Sequence, residues 1–370
     1  MGNQTITAND AADARAWVEV DLGALSRNAR CLRETSGVAL LPMVKADAYG
    51  LGAVAICHAL ASHAPWGFGV ATVEEGESLR AAGVDARIMV FTPVLRDEFE
   101  RARHAGLRLA LSRPDDIRAW AALGGVWHLA IDTGMARSGV RWDALGPVAD
   151  AVRDFPPEGA ATHFHSAEAD DGSAEEQEAR FERAIGVLQR RPDVLHCENG
   201  VAAERRGRSR WSLIRPGIFL YGVSGGGRVR VRPEPVVAMR ARVVDVRTVP
   251  AGDTVSYGAT FRADGATVVA TVAAGYADGI NRALSSRGQA LVGGRRAPIL
   301  GRVTMDMTML DVTGTRCAIG DVATFIGEDG GDQITVEDVA AAGMLSPYEV
   351  LTGLRLRCSH RHVTTGASPA

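Results

Sequence analysis

Short apolar runs alternate with amphipathic stretches through the first part of the chain. The stretches Val73–Ala82, Leu95–Ala105, Pro114–Leu123 and Ala174–Arg190 have their apolar residues at helical spacing. Strands and helices in alternation form a parallel sheet, and eight such units predict a closed (β/α)8 barrel. The eight runs typical of strands are Val38–Lys45, Trp66–Thr72, Ile88–Thr92, Leu107–Ser112, Trp127–Asp132, Ala160–His165, Val194–Asn199 and Leu213–Tyr221.

Polar and titratable side chains collect at the carboxyl ends of these predicted strands. In (β/α)8 barrels the chemistry takes place at that end. An open, doubly wound sheet is the weaker alternative, because it requires no particular strand number and does not explain polar ends on nearly every strand. The residues concerned are Lys45, Asp132, His163, His165, Asn199 and Arg215.

After Gly227 the pattern changes to short β runs separated by turns that contain glycine and aspartate, which is typical of an antiparallel β domain. Arg228–Pro235 is the predicted crossing between the two parts. The early run Trp17–Leu22 alternates and is expected to pair with the later domain. The later runs are Met239–Val249, Thr267–Ala273, Gln289–Val292, Ala297–Leu300, Met309–Val312 and Val322–Ile326.

These patterns predict the domain organisation. We expect a loose N-terminus over 1–16, a barrel over 17–235 and a C-terminal β domain over 236–370. Pro347–Leu354 is predicted as a last helix, and the polar end Thr364–Ala370 as loose.

Composition and charge exclude several classes of function. The chain has 370 residues, of which 46% are hydrophobic and 23% charged, as in ordinary globular proteins. A formal net charge of −3 gives no electrostatic case for binding nucleic acid or an anionic membrane. No apolar run has the length of a membrane span, and the cysteines form no CxxC pair. The first sixteen residues are polar and lack an apolar signal core, so we do not expect them to be a secretion signal. We therefore expect a cytoplasmic protein with reduced thiols.

The stretch Met43–Gly52 carries the most specific chemistry. An apolar run delivers Lys45, and four residues later Tyr49, into a turn punctuated by glycine. Poor solvation lowers the pKa of an amine, and a neutral amine forms a Schiff base with an aldehyde. The alternative is a lysine that caps the strand and reaches solvent.

Seven motifs follow one another along the chain: MVKADAYGLG, IDTGMARSGV, THFHSAEAD, RPGIFLYG, GYADGINR, GRVTMDMTMLDV and SPYEVLTGL. In this order they resemble the alanine racemase family, from about Trp17 to Leu354. The resemblance implies a barrel with a C-terminal β domain and pyridoxal phosphate as the cofactor. It also implies racemisation of an amino acid, alanine by default, in a homodimer with shared active sites.

By this resemblance, Lys45 holds the cofactor as a Schiff base and handles the α-proton on one face of the substrate. Tyr276 is the second base and comes from the other subunit, because racemisation needs proton traffic on both faces. His163 is the expected cationic neighbour that lowers the pKa of this tyrosine, and it is also implied to be one of the cofactor-binding residues.

The resemblance also assigns the binding residues. Arg215 faces the pyridine nitrogen, and Tyr348 lies at the cofactor end of the site. The substrate site is implied to contain Arg137, Met305 and Asp306. The groups expected at the phosphate are Tyr49, Asn199, Gly200, and the backbone N–H groups of Gly217 and Ile218.

The sequence departs from the family pattern at several positions. Gly200 replaces a phosphate-binding serine, and Ala130 replaces a lysine that relatives carboxylate and pair with the arginine of DTGMxR. A small anion is the expected substitute beside a buried Arg137. Met307 replaces a glutamine, and the tail RLRCSHRHV is atypical.

Two rival functions remain open at this stage. One is a barrel decarboxylase or aldolase that uses pyridoxal phosphate, with Cys358, His360 and His362 as a metal cluster. The other is a non-catalytic pyridoxal-phosphate carrier. A lyase needs no base opposite Lys45, and a carrier needs no β domain, so Tyr276 and its surroundings favour the racemase.

Overall fold

The computed structural model describes residues 14–354 and 357–365, and the chain divides into two compact units. The barrel unit comprises Leu25–Ala48 and Ala53–Glu234. The β unit comprises Tyr49–Gly52 and the described parts of Met1–Ala24 and Pro235–Ala370. Residues 1–13 of the predicted loose N-terminus and most of the predicted loose C-terminal end lie outside the described residues, whereas Ala16 already belongs to a strand of the β unit.

Eight parallel strands form the barrel. Six of them make one sheet in the order β3-β4-β5-β6-β8-β9, and β10 pairs with β2. Parallel bridges from Met43 to Gly69 and from Asn199 to Arg215 join the two sheets on both sides, which closes the ring. The strands are β2 (Ala39–Leu40), β3 (Phe68–Val70), β4 (Ile88–Val90), β5 (Arg108–Leu111), β6 (Trp127–Asp132), β8 (Gly159–Ala161), β9 (Val194–His196) and β10 (Leu213–Ile214), with the short β7 (Val140–Arg141) beside β6.

Helices follow the barrel strands as the spacing predicts. Thr72 caps α4 by accepting the Glu75 N–H, and proline occupies the first turn of α6, where no N–H is needed. The helices of this unit are α1 (Leu22–Ser36), whose first residues belong to the β unit, α2 (Lys45–Gly50), α3 (Ala53–Ala61), α4 (Val73–Ala81), α5 (Phe99–His104), α6 (Pro114–Ala122), α7 (Gly146–Asp154), α8 (Ser173–Gly186) and α9 (Gly200–Arg206).

Several barrel strands are shorter than the predicted runs, and at two of them proline is the reason. Pro42 interrupts the run Val38–Lys45, because it cannot donate a ladder hydrogen bond, so that β2 is short and only a bridge follows. Pro216 and Gly217 end β10, and a 3-10 helix, Ile218–Tyr221, takes up the rest of that run.

The β unit is a mainly antiparallel sheet. β1 pairs antiparallel with β11 and parallel with β20, and a second branch joins β11 to β14 and β17. Its strands are β1 (Ala16–Asp21), β11 (Val237–Val249), β12 (Thr254–Val255), β13 (Phe261–Arg262), β14 (Thr267–Val272), β15 (Gln289–Val292), β16 (Arg295–Pro298), β17 (Thr308–Asp311), β18 (Val322–Asp329), β19 (Asp332–Ile334) and β20 (Ser359–Val363). The predicted fold class, a (β/α)8 barrel followed by a mainly antiparallel β domain, is confirmed.

Two helices and two 3-10 turns complete the β unit. Capping boxes begin α10 (Val336–Gly343) at Thr335 and α11 (Pro347–Gly353) at Ser346. The 3-10 turns are Tyr257–Ala259 and Arg282–Leu284. In the part of the chain that the structure covers, no helix combines the length and the apolar character needed to cross a membrane.

Candidate active site

Lys45 begins a strained turn at the end of the first barrel strand. The four residues after it all have φ between 53° and 58°, so α2 is one left-handed turn. This conformation is costly for residues with a Cβ, and the surroundings must offset the cost. The carboxylate of Glu75 does so, because it accepts the N–H of Ala46 and the N–H of Ala71, both at 2.7 Å.

The environment of Lys45 favours its neutral form. Burial lowers the pKa of the Lys45 amine, and the positive charge of Arg137 lowers it further, whereas Glu75 raises it. The amine is therefore a better nucleophile toward an aldehyde than a solvated lysine. This result supports the Schiff-base prediction over a lysine that only caps the strand.

Arg215 is a buried cation that is held by neutral acceptors. It follows β10 and is 5% exposed. Its NH1 group donates to Nδ1 and to the carbonyl of His196, both at 2.9 Å. Its NH2 group donates to the carbonyls of Thr162, at 2.7 Å, and Cys197, at 3.1 Å, and lies 3.1 Å from Nδ1 of His163. The Nε–H takes part in none of these bonds, so it is the donor left for a ligand.

His163 is a neutral imidazole, which corrects the expectation of a cationic neighbour for Tyr276. Burial, followed by the charges of Arg215, Arg137 and Lys45, lowers the pKa of His163 to about 3. Because Arg215 donates to Nδ1, the proton of the neutral ring is on Nε2. The positive charge around His163 is therefore that of its cationic neighbours, of which Arg215 has the largest effect.

Two backbone turns converge at the predicted phosphate site. Gly200 is the first residue of α9, and Gly217 precedes the 3-10 helix that follows β10. A Cβ on Gly200 would lie 3.5 Å from the Gly217 nitrogen, so the two segments run side by side. The first N–H groups of a helix have no acceptor in their own helix, and two such ends together suit an anion such as a phosphate group.

Asn199, which is predicted to bind the phosphate, also caps a helix. Its side-chain oxygen accepts the Ala202 N–H at 2.9 Å and caps α9. The amide NH2 group is therefore the part of Asn199 that remains for an anion.

Arg137 is exposed in the single chain, contrary to the expectation of a buried guanidinium that requires an anion. It lies in the loop after β6 and is close enough to Lys45 and His163 to lower both pKa values. Ala130 packs against the barrel interior cluster that includes Leu41 and Met89. The small side chain at Ala130 thus serves packing.

Tyr276 lies in a tight turn of the β unit, and its side chain is exposed. A Cβ on Gly275 would come within 2.2 Å of the Thr304 carbonyl oxygen, so only glycine fits there. Tyr276 N–H donates to that same carbonyl at 2.9 Å. The buried carboxylate of Asp278 accepts the Gly275 N–H at 2.9 Å and closes the turn.

Arg357 connects the Tyr276 turn to Asp306, one of the substrate residues predicted in the MDMT motif. Its Nε and NH2 donate to the two carboxylate oxygens of Asp278, each at 2.8 Å. Its NH1 donates to Asp306 at 2.8 Å. One cleft of the β unit is lined by Tyr276, Met305 and Asp306, so these three predicted residues come together.

Tyr49 and Tyr348 are a pair within the β unit. Their ring centroids are 5.7 Å apart at an interplanar angle of 40°. Burial, and secondarily Tyr348, raises the pKa of the Tyr49 phenol. Tyr49 therefore keeps its proton and acts as a hydrogen-bond donor.

The alternative of a metal cluster near the C-terminal tail is not supported. Among the described residues, no three His, Cys, Asp or Glu side chains form a group that could hold a metal ion. Cys358 instead donates to the carbonyl of Asp278 at 3.2 Å, and His362 contacts the carbonyl of Leu51 at 3.0 Å.

The sequence interpretation missed Glu75, His196 and Arg357. Glu75 was part of the polar face of a predicted helix, and His196 was part of an apolar strand. Arg357 lies in the atypical tail, where only its position after α11 could have drawn attention. None of them has a local motif, because each acts on a residue distant in the sequence.

Comparisons with known proteins point to one family. The alanine racemase N-terminal domain family matches residues 20–225, and the alanine racemase C-terminal domain family matches residues 236–362. An alanine racemase of Deinococcus radiodurans is 40% identical over 352 residues, which cover 94% of this chain and 99% of the relative.

Solved structures agree with this result. The alanine racemase of Streptomyces coelicolor is 33% identical, has a TM-score of 0.87, and the match covers 96% of this chain and 99% of that one. The structure of alanine racemase from Bartonella henselae with covalently bound pyridoxal phosphate is 27% identical, with a TM-score of 0.86. That match covers 95% of this chain and 100% of the other.

Proposed function

The chain belongs to the alanine racemase family, and we propose that Lys45 and Tyr276 are the two bases of its reaction. The protein is a pyridoxal-phosphate-dependent amino-acid racemase, with alanine as the default substrate. The observation that carries the proposal is the depressed pKa of Lys45 at the end of the first barrel strand.

The barrel unit fits the cofactor. The paired turns at Gly200 and Gly217 suit its phosphate, and Lys45 offers its aldehyde an amine whose pKa is lowered by burial and by Arg137. When bound, pyridoxal phosphate withdraws electrons from the substrate α-carbon. We assign the free Nε–H of Arg215 to the pyridine nitrogen, where an arginine donates a hydrogen bond without giving up its proton.

The second base belongs to the β unit, and we propose that a homodimer brings it to the site of the partner subunit. Tyr276 is 38% exposed and Met305 is 52% exposed in the single chain, so both are available to a second subunit. A racemase needs a base on each face of the α-carbon. Tyr276 supplies a proton on the face opposite Lys45, and neutral His163 is its proposed hydrogen-bond partner.

The substrate carboxylate is assigned to Arg137. Its exposure in the single chain agrees with a role in binding a ligand and not in a buried ion pair. Met305 and Asp306 are proposed to close the substrate site from the partner subunit, with Arg357 fixing the direction of Asp306. Tyr49 and Tyr348 are proposed at the cofactor phosphate. The predicted cytoplasmic location belongs to the same proposal.

Two experiments test these assignments. Incubation with L-alanine followed by chiral analysis should give D-alanine, and Lys45→Ala should abolish both this activity and borohydride-stable attachment of the cofactor. Cofactor that remains attached to the variant would exclude Lys45 as the anchor.

Subunit exchange tests the shared site. Inactive Lys45→Ala and Tyr276→Phe proteins are mixed, and each hybrid dimer should regain one intact site. No recovery after exchange verified by mass spectrometry would show that each site is built from a single chain.

A further inference from the structure

Two fully buried histidines connect Arg215 to a carboxylate on the other side of the barrel interior. His196 on β9 and His128 on β6 are both 0% exposed. His196 Nδ1 lies 2.9 Å from Arg215 NH1, and its Nε2 lies 2.8 Å from Nδ1 of His128. Nε2 of His128 lies 3.1 Å from a carboxylate oxygen of Glu158. We call these four residues the relay.

The groups at the two ends of the relay determine which ring nitrogen of each histidine carries the proton. The Glu158 carboxylate only accepts, so His128 must carry its proton on Nε2 and present Nδ1 as an acceptor. His196 must then donate through its own Nε2, which leaves its Nδ1 to accept from Arg215. All three hydrogen bonds thus point from the guanidinium toward the carboxylate.

Burial keeps both rings neutral, so the charges lie only at the two ends. Burial lowers the pKa of His128 and of His196, and Arg215 lowers both further, whereas Glu158 opposes this effect on His128. Arg108 anchors the far end, since its Nε donates to Glu158 at 2.8 Å. Burial raises the pKa of the Glu158 carboxyl, but the hydrogen bonds and charges of His128 and Arg108 outweigh burial and lower that pKa to about 2.

Space for the relay is built into the strands. A Cβ on Gly159 would come within 2.6 Å of two His128 ring atoms, so glycine at the start of β8 leaves room for the ring. No ion pair among the described residues involves Arg215 directly, although it is 5% exposed. Glu158 is therefore the carboxylate to which its charge is linked through continuous hydrogen bonds.

We propose that Glu158, acting through His128 and His196, is a positioning residue that orients Arg215 and limits how strongly its free Nε–H can act as an acid. The role of the Nε–H rests on the proposed function, whereas the relay itself does not. Hydrogen bonds in series polarise one another in a low-dielectric interior, so the carboxylate makes His196 a better acceptor. Arg215 is thereby kept a hydrogen-bond donor and not a proton donor.

This proposal predicts a by-product. An Arg215 that is a stronger acid makes the cofactor a stronger electron sink and favours the side reaction in which alanine leaves as pyruvate. In that reaction the proton taken from the α-carbon returns to the cofactor, water releases the keto acid, and the amino group stays on the cofactor. Alanine is oxidised and the cofactor is reduced, so the reaction consumes one water molecule and needs no external oxidant or reductant.

The test uses the holoenzyme with two readouts. Two-bond proton–nitrogen NMR of histidine-labelled protein gives the tautomers of His128 and His196, and turnover with alanine gives pyruvate formed per racemisation. The variants are Glu158→Gln, whose amide oxygen still accepts from His128, and Glu158→Leu, which has no acceptor. Asp116→Asn is the matched control, because Asp116 is a buried barrel carboxylate that pairs with Arg96 and is not part of the relay.

We expect Glu158→Gln to keep both Nε2–H tautomers and to raise pyruvate per racemisation about threefold or more, as for residues coupled in one hydrogen-bond network. Glu158→Leu should lose the fixed tautomers and raise the ratio further, while the control matches wild type. Unchanged tautomers in Glu158→Leu, or an unchanged ratio in Glu158→Gln, would overturn the proposal. If the tautomers respond but no variant or wild type racemises alanine, the relay stands and the proposed function fails.

Discussion

Replacing Glu75 by glutamine should loosen the turn that carries Lys45. The carboxylate binds the N–H groups of Ala46 and Ala71 at 2.7 Å each, and it thereby ties the left-handed turn to the loop before α4. Glutamine has the same shape but only one acceptor oxygen. Its NH2 group must face one of the two N–H donors, so one hydrogen bond is lost and two donors oppose each other.

The size of the effect follows from this geometry. A hydrogen bond to a charged acceptor contributes roughly 1.5–3 kcal/mol, and half-exposure of Glu75 places the loss near the lower end. The four left-handed residues after Lys45 cost about 1 kcal/mol each, so the turn itself cannot compensate for a lost hydrogen bond. We expect the free energy of unfolding to fall by about 2 kcal/mol.

The same substitution should make the Lys45 amine more reactive, although it destabilises the fold. The charge of Glu75 raises the pKa of Lys45, so its removal lowers that pKa further. Cofactor should therefore reattach to the apoprotein of Glu75→Gln with a pH midpoint lower than that of wild type. A variant that is only damaged would reattach cofactor more slowly without this shift.

The assay is denaturant unfolding of the holoenzyme at fixed protein and cofactor concentration, because ligand and partner binding shift apparent stability. Glu74→Gln is the control, since the Glu74 side chain is 57% exposed and pairs with Arg101. A Glu75→Gln stability equal to that of the control, together with an unshifted pH midpoint, would refute the reasoning.

Three further predictions follow from the site. Gly200→Ser should bind pyridoxal phosphate about tenfold more tightly, because its Cβ fits at 3.5 Å from Gly217 N and its hydroxyl adds a hydrogen bond to a charged phosphate. Equilibrium dialysis measures the affinity, and an unchanged value would mean that backbone N–H groups already satisfy the phosphate. Asp278→Asn should lower kcat about tenfold and leave cofactor affinity unchanged, since it weakens the bidentate Arg357 contact that holds the Tyr276 turn. Equal losses in kcat and in cofactor affinity would contradict a role limited to the second base. Burial raises the pKa of Glu204 to about 6, so the folded state binds the proton more tightly and stability falls as pH rises from the unfolded pKa through that value. Glu204→Gln should remove this slope and be more stable than wild type by about 1 kcal/mol at pH 7.5, as pH-dependent unfolding would show; a parallel slope in the variant would exclude Glu204 as its source.

Hydrophobic periodicity was sufficient to predict the barrel and the β domain, because each strand has its own apolar run. The ends of the strands were less predictable where proline intervened, as at Pro42 and Pro216. The interpretation placed polar residues at the carboxyl ends of strands correctly, and the structure brings Lys45, His163 and Arg215 into electrostatic contact. Motifs identify such residues because each is fixed by its own local turn.

Protonation could not be predicted in the same way. His163 was expected to be a cation because a tyrosine base needs positive charge nearby, but its ring accepts a hydrogen bond from Arg215 and is neutral. The sequence separation between the two residues, 52 positions, hides that contact from any local pattern. Which of two basic residues carries the charge depends on donor direction and burial, and both are properties of the folded barrel.

The supporting residues could not be predicted for the same reason, although they control the electrostatics of the site. Glu75 acts on Lys45 through backbone N–H groups, and Glu158 acts on Arg215 through two imidazoles, so neither needs a recognisable motif. Both are carboxylates that set the electrostatics of a cationic or amine group without contacting the proposed ligand. A lysine that must be neutral and an arginine that must remain protonated lie in one barrel, and burial alone lowers both pKa values. Separate carboxylates, one beside the Lys45 turn and one at the end of the relay, allow the fold to adjust the two groups independently.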